Sequence, residues 1–180
     1  SRRYVIQQVQ FAGAPDSELE RVVPIEAPIA IEVDGSKYAV MMATPADLRD
    51  FAIGFALSER IVDRIDHIHD VTVQEVEGGW VLRLTVDQEY SRRACQRSRT
   101  LVAESSCGLC GVQSIEQVLR PLPPISARLR TTRNAIARAL SALSTYQLLG
   151  QATGAVHAAA FCAPDGQIML AREDVGRHTA

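Results

Sequence analysis

Apolar and polar residues alternate loosely over 3–11, RYVIQQVQF, and this period of two predicts an edge strand. The acidic stretch 12–20, with Gly13 and Pro15, predicts a loop. Alternation is clearer over 29–42, IAIEVDGSKYAVMM. Two strand-like runs there flank Asp34-Gly35, a pair suited to the left-handed backbone of a tight hairpin turn. In TPADLRDFAIGFALSERIV the period lengthens: Thr44 can cap a helix, Pro45 suits its first position, and Asp47 follows three residues after the cap. Leu48, Phe51, Ile53, Phe55, Leu57 and Ile61 give that helix broad apolar coverage, which predicts a largely buried element. Strands are predicted at 70–77 and 80–87 around Gly78-Gly79, with Trp80 as ordinary packing.

The pattern then breaks. DQEYSRRACQRSR, 87–99, reads as a solvated linker or surface loop between two halves of the chain. Its Arg92, Arg93, Arg97 and Arg99 would also suit a docking patch for an acidic protein or a phosphate-bearing ligand. No aromatic residues interleave with these arginines in the way base stacking needs, so nucleic acid is not an expected partner. Val112, Ile115, Val118 and Leu119 have near-helical spacing before Leu122–Ile125, LPPI, interrupts it. A further helix is predicted from Thr132, with Ile136, Leu140 and Leu143 on one face. AVHAAAFCA predicts a small-residue buried strand, Pro164-Asp165-Gly166 a turn, and QIMLA the returning strand, with REDVGRH at that strand's end. The expected fold class is therefore α/β, mixed α+β overall. A strand-rich N-terminal subdomain with a buried helix is expected over 1–100, and a second portion over 101–180.

Composition narrows the setting. The 180 residues are 47% hydrophobic, enough for a real core, and the formal net charge of -2 does not point to a polyanion-binding surface, while leaving room for a local basic patch. No run of about 20 apolar residues is present, so no membrane association is expected. The opening SRRYVIQQVQ lacks the apolar segment of a secretory signal, which makes the cytoplasm the expected compartment if the chain is complete there. The close on GRHTA, just after a dense charged group and with no final helix or strand, raises the expectation of a longer polypeptide.

Four cysteines, Cys95, Cys107, Cys110 and Cys162, are too few for a disulfide scaffold. The chemistry concentrates in SSCGLCGV, 105–112. A helix starting near Gly111 would place Cys107 and Cys110 before its first turn, where unpaired N–H groups stabilise a thiolate. Such a thiolate can attack sulfur or disulfide bonds. Zinc competes for the same pair, but two cysteines supply only half of a structural site. Cys162, His157 and His178 could complete it after folding, with His67 and His69 weaker candidates. A thioredoxin-like redox pair wants a strand just before it, and Leu101–Ala103 is short for one. His157 sits in an apolar strand and could be a satisfied core histidine or a pocket residue. Arg172, Glu173, Asp174, Arg177 and His178 could form a solvated turn, fix a catalytic loop or hold anionic ligand groups. The residues alone lead to cysteine-based sulfur or redox chemistry and leave the substrate open.

The ordered set EAPIAIEVDG, GFALSERIV, SSCGLCGV, TGAVHAAAF and REDVGRH resembles the FdhD/NarQ family of formate dehydrogenase accessory sulfurtransferases, across most of the chain. That resemblance implies transfer of persulfide sulfur from a cysteine desulfurase to a molybdenum or tungsten bis-pterin guanine dinucleotide cofactor destined for formate dehydrogenase. It implies Cys107 as the persulfide-bearing residue, Cys110 as its companion, and His157, Arg172, Arg177 and His178 as elements of a cofactor pocket. The cofactor is implied as acceptor substrate, and no permanent metal is expected. Homodimerisation is a further expectation. The family's catalytic half is similar to the cytidine deaminase three-layer α/β/α fold. The deaminase glutamate is missing, because Ala158-Ala159 follow His157. Members usually continue past VGRH with residues associated with guanine dinucleotide binding, and this chain ends at Ala180. A zinc-stabilised scaffold or cofactor chaperone that passes no sulfur is the alternative.

Overall fold

The computed structural model describes residues 1–9, 17–98 and 124–180. The chain divides into two compact units, Ala27–Arg128 and a second made of Ser1–Glu26 with Leu129–Ala180. The break expected near residue 100 falls at the edge of 99–123, outside the described residues, as do Cys107, Cys110 and the helical pattern from Val112.

The first unit is a four-stranded sheet under helices. Strands β3 (Ala27–Val33), β4 (Ser36–Ala43), β5 (Ile68–Val76) and β6 (Gly79–Val86) lie in the order β4-β3-β6-β5. The β3–β6 pair is parallel and the other two pairs are antiparallel. Asp34 and Gly35 both have positive φ, 45° and 77°, as the expected hairpin requires. Ile29, Ile31 and Val33 alternate with outward residues on β3, and Leu82, Leu84 and Val86 do so on β6; all six are buried. On the outer face Arg83 ties three strands together, donating to Glu32 at 2.9 Å and Gln74 at 2.6 Å.

Helix α1 runs Leu48–Ser58, later at its start and shorter at its end than its apolar pattern predicts. Ala46 N–H bonds the Thr44 carbonyl at 2.8 Å, which closes a tight turn where the first helical turn was expected. Asp47, at φ 48°, therefore becomes the N-cap. At the other end Arg60 has φ 54°, its N–H bonds Leu57 O at 3.1 Å, and Ile61 N–H bonds Ala56 O at 2.8 Å. That pair of bonds is the Schellman closure, built on arginine where glycine is usual. Ala52 and Ala56 are fully buried, whereas Phe51, Ile53, Phe55 and Leu57 are only partly covered. Small residues thus let the helix approach the sheet, and the large ones pack along its flanks.

The charged segment expected to be a loop is helix α2, Gln88–Ser98. Two apolar positions one turn apart, Tyr90 at 8% and Ala94 at 2% exposure, seat it on the core. The Tyr90 hydroxyl donates to Asp63 at 3.1 Å, Arg93 donates to the same carboxylate at 3.1 Å and lies 4.8 Å over the Tyr90 ring, and His67 stacks on that ring at 4.6 Å. The Arg93 hydrogen bond holds the Asp63 carboxyl below the usual aspartate range, with Tyr90 adding to the effect and desolvation opposing it. Asp63→Asn is expected to lose up to about 1 kcal/mol near neutral pH, because the pair is exposed and screened. A carboxyl with a depressed folded-state pKa stabilises above about pH 4 and loses that contribution as pH falls through the folded value. Urea denaturation curves of wild type and Asp63→Asn should therefore converge in acid.

The second unit joins β1 (Arg2–Gln8) and β2 (Ser17–Val23), helices α3 (Arg133–Tyr146) and α4 (Leu148–Thr153), and the hairpin of β7 (His157–Cys162) and β8 (Ile168–Asp174). Residues 17–20, expected in a loop, belong to β2, where half-buried Leu19 lies opposite half-buried Ile6. Thr132 caps α3 as expected, its hydroxyl oxygen accepting from Ala135 N–H at 3.1 Å. The helix turns Ala135, at 2% exposure, inward; Ile136 and Leu140 on the anticipated apolar face stay exposed. Strand β7, expected to be buried, is largely exposed as well, with Phe161 at 68%. Its alanines give a small-residue strand without placing it beneath another layer of the described residues.

Candidate functional site at the open end of the β7–β8 hairpin

The hairpin begins from its turn. Gly166 N–H donates to Ala163 O at 2.9 Å, Ala163 N–H to Gln167 O at 2.8 Å, and Gln167 N–H to Asp165 Oδ1 at 3.0 Å. This closure and the irregularity near Cys162 set a register in which His157 faces Asp174, Ala158 faces Glu173 and Ala159 faces Arg172. Two stretches separate in sequence, TGAVHAAAF and REDVGRH, thereby share one end of a two-stranded ladder. The charged group expected after the strand is partly within it, since β8 takes in Arg172, Glu173 and Asp174.

The two carboxylates are committed to structure. Glu173 accepts from Leu149 N–H at 2.9 Å through one oxygen and from Gly150 N–H at 2.7 Å through the other. A carboxylate suits the first turn of α4, whose N–H groups lack helical partners. Gly150 permits the approach, for a side-chain carbon there would stand 3.1 Å from the Glu173 oxygen. Asp174 is buried at 4% exposure and accepts from Gly176 N–H and from the Thr179 hydroxyl, both at 2.7 Å.

The cationic candidates lie around these anchors. Arg172 is half-buried and donates to the Ala171 carbonyl at 2.7 Å, whereas His157, Arg177 and His178 are exposed. The structure brings His157 and Arg172 to one ladder end and hangs Arg177 and His178 on the turn that follows. It places neither Cys107 nor Cys110, which lie outside the described residues. Thr179 was not singled out from sequence. The signal available was the short spacing Asp174, Gly176, Thr179, which suits a side-chain-closed turn. Among the described residues no group of three or more His, Cys, Asp or Glu side chains is arranged to hold a metal ion. None of the described helices is long and apolar enough to cross a membrane.

Residues 24–180 match the FdhD/NarQ family. The chain belongs to that family. The family match takes in the cysteine pair and both stretches that meet at the hairpin end. The chain is 43% identical over 158 residues to a protein of Variovorax paradoxus (strain S110) and 44% identical over 168 residues to one of Xanthomonas campestris pv. campestris (strain B100). Both relatives are named sulfur carrier protein FdhD. The alignments cover 88% and 93% of this chain but only 57% and 60% of those proteins, so the chain spans about three-fifths of their length. A crystal structure from Desulfotalea psychrophila, provisionally described as a formate dehydrogenase accessory protein, superposes with a TM-score of 0.69 at 20% identity. It covers 99% of this chain and 62% of that one, and it supports the mixed α/β fold with strand-rich and helical parts.

Proposed function

We propose that this FdhD/NarQ chain acts in formate dehydrogenase maturation as a cytoplasmic sulfurtransferase. It would pass persulfide sulfur from a cysteine desulfurase to a molybdenum or tungsten bis-pterin guanine dinucleotide cofactor, which is its acceptor substrate. One observation carries the reading: a single family match spans 24–180 and so joins Cys107 and Cys110 to the hairpin-end residues.

In the first step the Cys107 thiolate attacks the terminal sulfur of the desulfurase persulfide. The donor's S–S bond breaks, the donor leaves as a thiolate, and a persulfide forms on Cys107. Delivery of that sulfur as sulfide takes two electrons. Cys110 can supply them by attacking the Cys107 sulfur, closing a disulfide as hydrosulfide leaves; a cellular dithiol then reopens the disulfide. Arg172, Arg177, His157 and His178 offer cationic or hydrogen-bonding groups suited to the cofactor's phosphates. In this reading residues 101–180 form the catalytic portion, part of a cytidine deaminase-like three-layer fold without deaminase chemistry.

The test incubates the full chain with a cysteine desulfurase and cysteine, then reads intact mass and maps added sulfur by peptide. A persulfide on Cys107 that disappears when cofactor-bearing acceptor is supplied is the expected result. No added sulfur, with zinc held tightly at the same cysteines, would replace this reading with the scaffold alternative.

A further inference from the structure

Helix α3 packs through its small residues and leaves large ones uncovered. Ala135 is buried, and Ala139, Ala142 and Leu143 are half-buried along the inward side. Arg133, Ile136, Ala137 and Leu140, spaced three, four and seven residues from the first, fall in one line on the outward side. All four are exposed, Ile136 at 53% and Leu140 at 68%. Leu129 and Arg130, just ahead of the helix, are exposed as well. This is the spacing by which a helix offers anchors to a groove on another protein.

Charge narrows the kind of protein. All 21 Asp and Glu residues lie outside 117–164, whereas Arg128, Arg130, Arg133 and Arg138 lie within it. Elsewhere Arg3, Arg64, Arg83 and Arg93 each pair with a carboxylate, and Arg138 donates to the Asp165 carbonyl. Among the described residues no carboxylate pairs with Arg130 or Arg133. A cation at the start of a helix opposes the helix dipole, so Arg133 does not serve α3 itself. Two such cations beside exposed Ile136 and Leu140 fit a protein surface with carboxylates around an apolar groove. A small phosphate ligand would leave the apolar side chains in water. A lipid surface fits less well, because a net charge of -2 is repelled by anionic headgroups and the line has no aromatic anchor.

We propose that the outward side of α3, together with Arg130, docks the cysteine desulfurase that donates the persulfide. Of the reactants in sulfur transfer, the donor is the one that must be met as a protein. Its persulfide stays bonded to its own cysteine until the Cys107 thiolate takes the terminal sulfur. The two chains must therefore hold together through the exchange, and opposite charge speeds their encounter. The inference rests on the sulfurtransferase reading and adds to it the surface that recognises the donor.

The experiment loads the full chain from two donors, a cysteine desulfurase with cysteine and glutathione persulfide. In both exchanges Cys107 takes the terminal sulfur and the donor leaves as a thiolate, but only the first donor is a protein. Arg130→Glu/Arg133→Glu should raise the desulfurase concentration for half-maximal loading about tenfold. Its maximal rate, and loading from glutathione persulfide, should stay at wild-type values. The difference should shrink in roughly 0.5 M salt, which screens exposed charges. Arg130→Lys/Arg133→Lys keeps the charge and should stay close to wild type. Leu140→Ser should raise the half-maximal concentration severalfold at either salt concentration, since its contribution is apolar. An unchanged half-maximal concentration in the glutamate variant, or equal slowing with both donors, would overturn the docking role. So would a wild-type dimer that the glutamate variant dissociates in sedimentation, which would give the face to a second copy. Wild type that floats with phosphatidylserine vesicles while its desulfurase kinetics ignore the substitutions would give the face to lipid. Wild type that accepts sulfur from neither donor would overturn the sulfurtransferase reading, and this inference with it.

Discussion

Cys107→Ser is expected to abolish sulfur capture from a cysteine desulfurase, while Cys110→Ser still captures sulfur but releases it slowly. A serine hydroxyl is protonated at neutral pH and cannot hold a sulfane sulfur, so no stable adduct replaces the persulfide. A thiol near a helix N-terminus or cationic groups is ionised to a useful fraction and is intrinsically nucleophilic. The two variants therefore separate capture from delivery. With Cys110 absent, the disulfide that would expel hydrosulfide cannot close, and the added sulfur should persist on Cys107. The measurement is a time course of intact mass after desulfurase is removed, with a dithiol present or withheld. Equal capture in wild type and Cys107→Ser would remove Cys107 from the mechanism. Equal release in wild type and Cys110→Ser would confine Cys110 to a bystander's place.

How far such roles can be seen in a sequence depends on whether the deciding interaction is local. The Asp34-Gly35 hairpin was legible because both residues tolerate positive φ and apolar alternation flanks them on either side. The end of α1 was not, because its left-handed residue is Arg60, and arginine carries no signal for that conformation. Helix α2 was hidden for a different reason. Among the described residues its buried positions are Tyr90 and Ala94, and their meaning depends on Asp63 and His67, which precede it by more than twenty residues. Tertiary contact here overrides a composition that looks like a solvated linker.

The candidate site divides in the same way. His157 and the 172–178 group were visible as unusual chemistry, and the Pro164-Asp165-Gly166 turn made them the two arms of one hairpin. Their pairing residue by residue was not visible, because the irregularity near Cys162 shifts the register by an amount the sequence does not announce. The sequence did not say which members of the 172–178 group, Glu173 and Asp174 included, would fix a loop and which would face a ligand. In the folded chain both serve the backbone, Glu173 meeting the first turn of α4 and Asp174 closing the turn over Thr179. Sequence patterns locate polar residues well, but whether a carboxylate faces a ligand or a backbone N–H is decided by packing.

The largest stability effect is expected at the hairpin turn. Gly166 has φ 90°, and a side-chain carbon built there would be driven into the carbonyl of Ala135, the buried residue at the start of α3. Two costs then add in Gly166→Ala: about 1 kcal/mol or more for an L-residue in that backbone region, and about 1–3 kcal/mol for forcing two packed elements apart. Gly154 separates them. It also has positive φ, 64°, but nothing lies near its missing side chain, so Gly154→Ala should show the conformational cost alone. Thr131 and Arg138 donate to the carbonyls of Pro164 and Asp165 on the same turn, so a displaced α3 loses those bonds too. Urea denaturation should therefore place Gly166→Ala roughly 3 kcal/mol below wild type and Gly154→Ala about 1 kcal/mol below it. Because the turn sets the register, loss at Gly166 should also move His157 away from Asp174, and sulfur delivery should fall more steeply than in Gly154→Ala when both are assayed well below their unfolding transitions. Equal destabilisation by the two substitutions would mean that α3 yields freely and that the Ala135–Gly166 contact does not hold the hairpin.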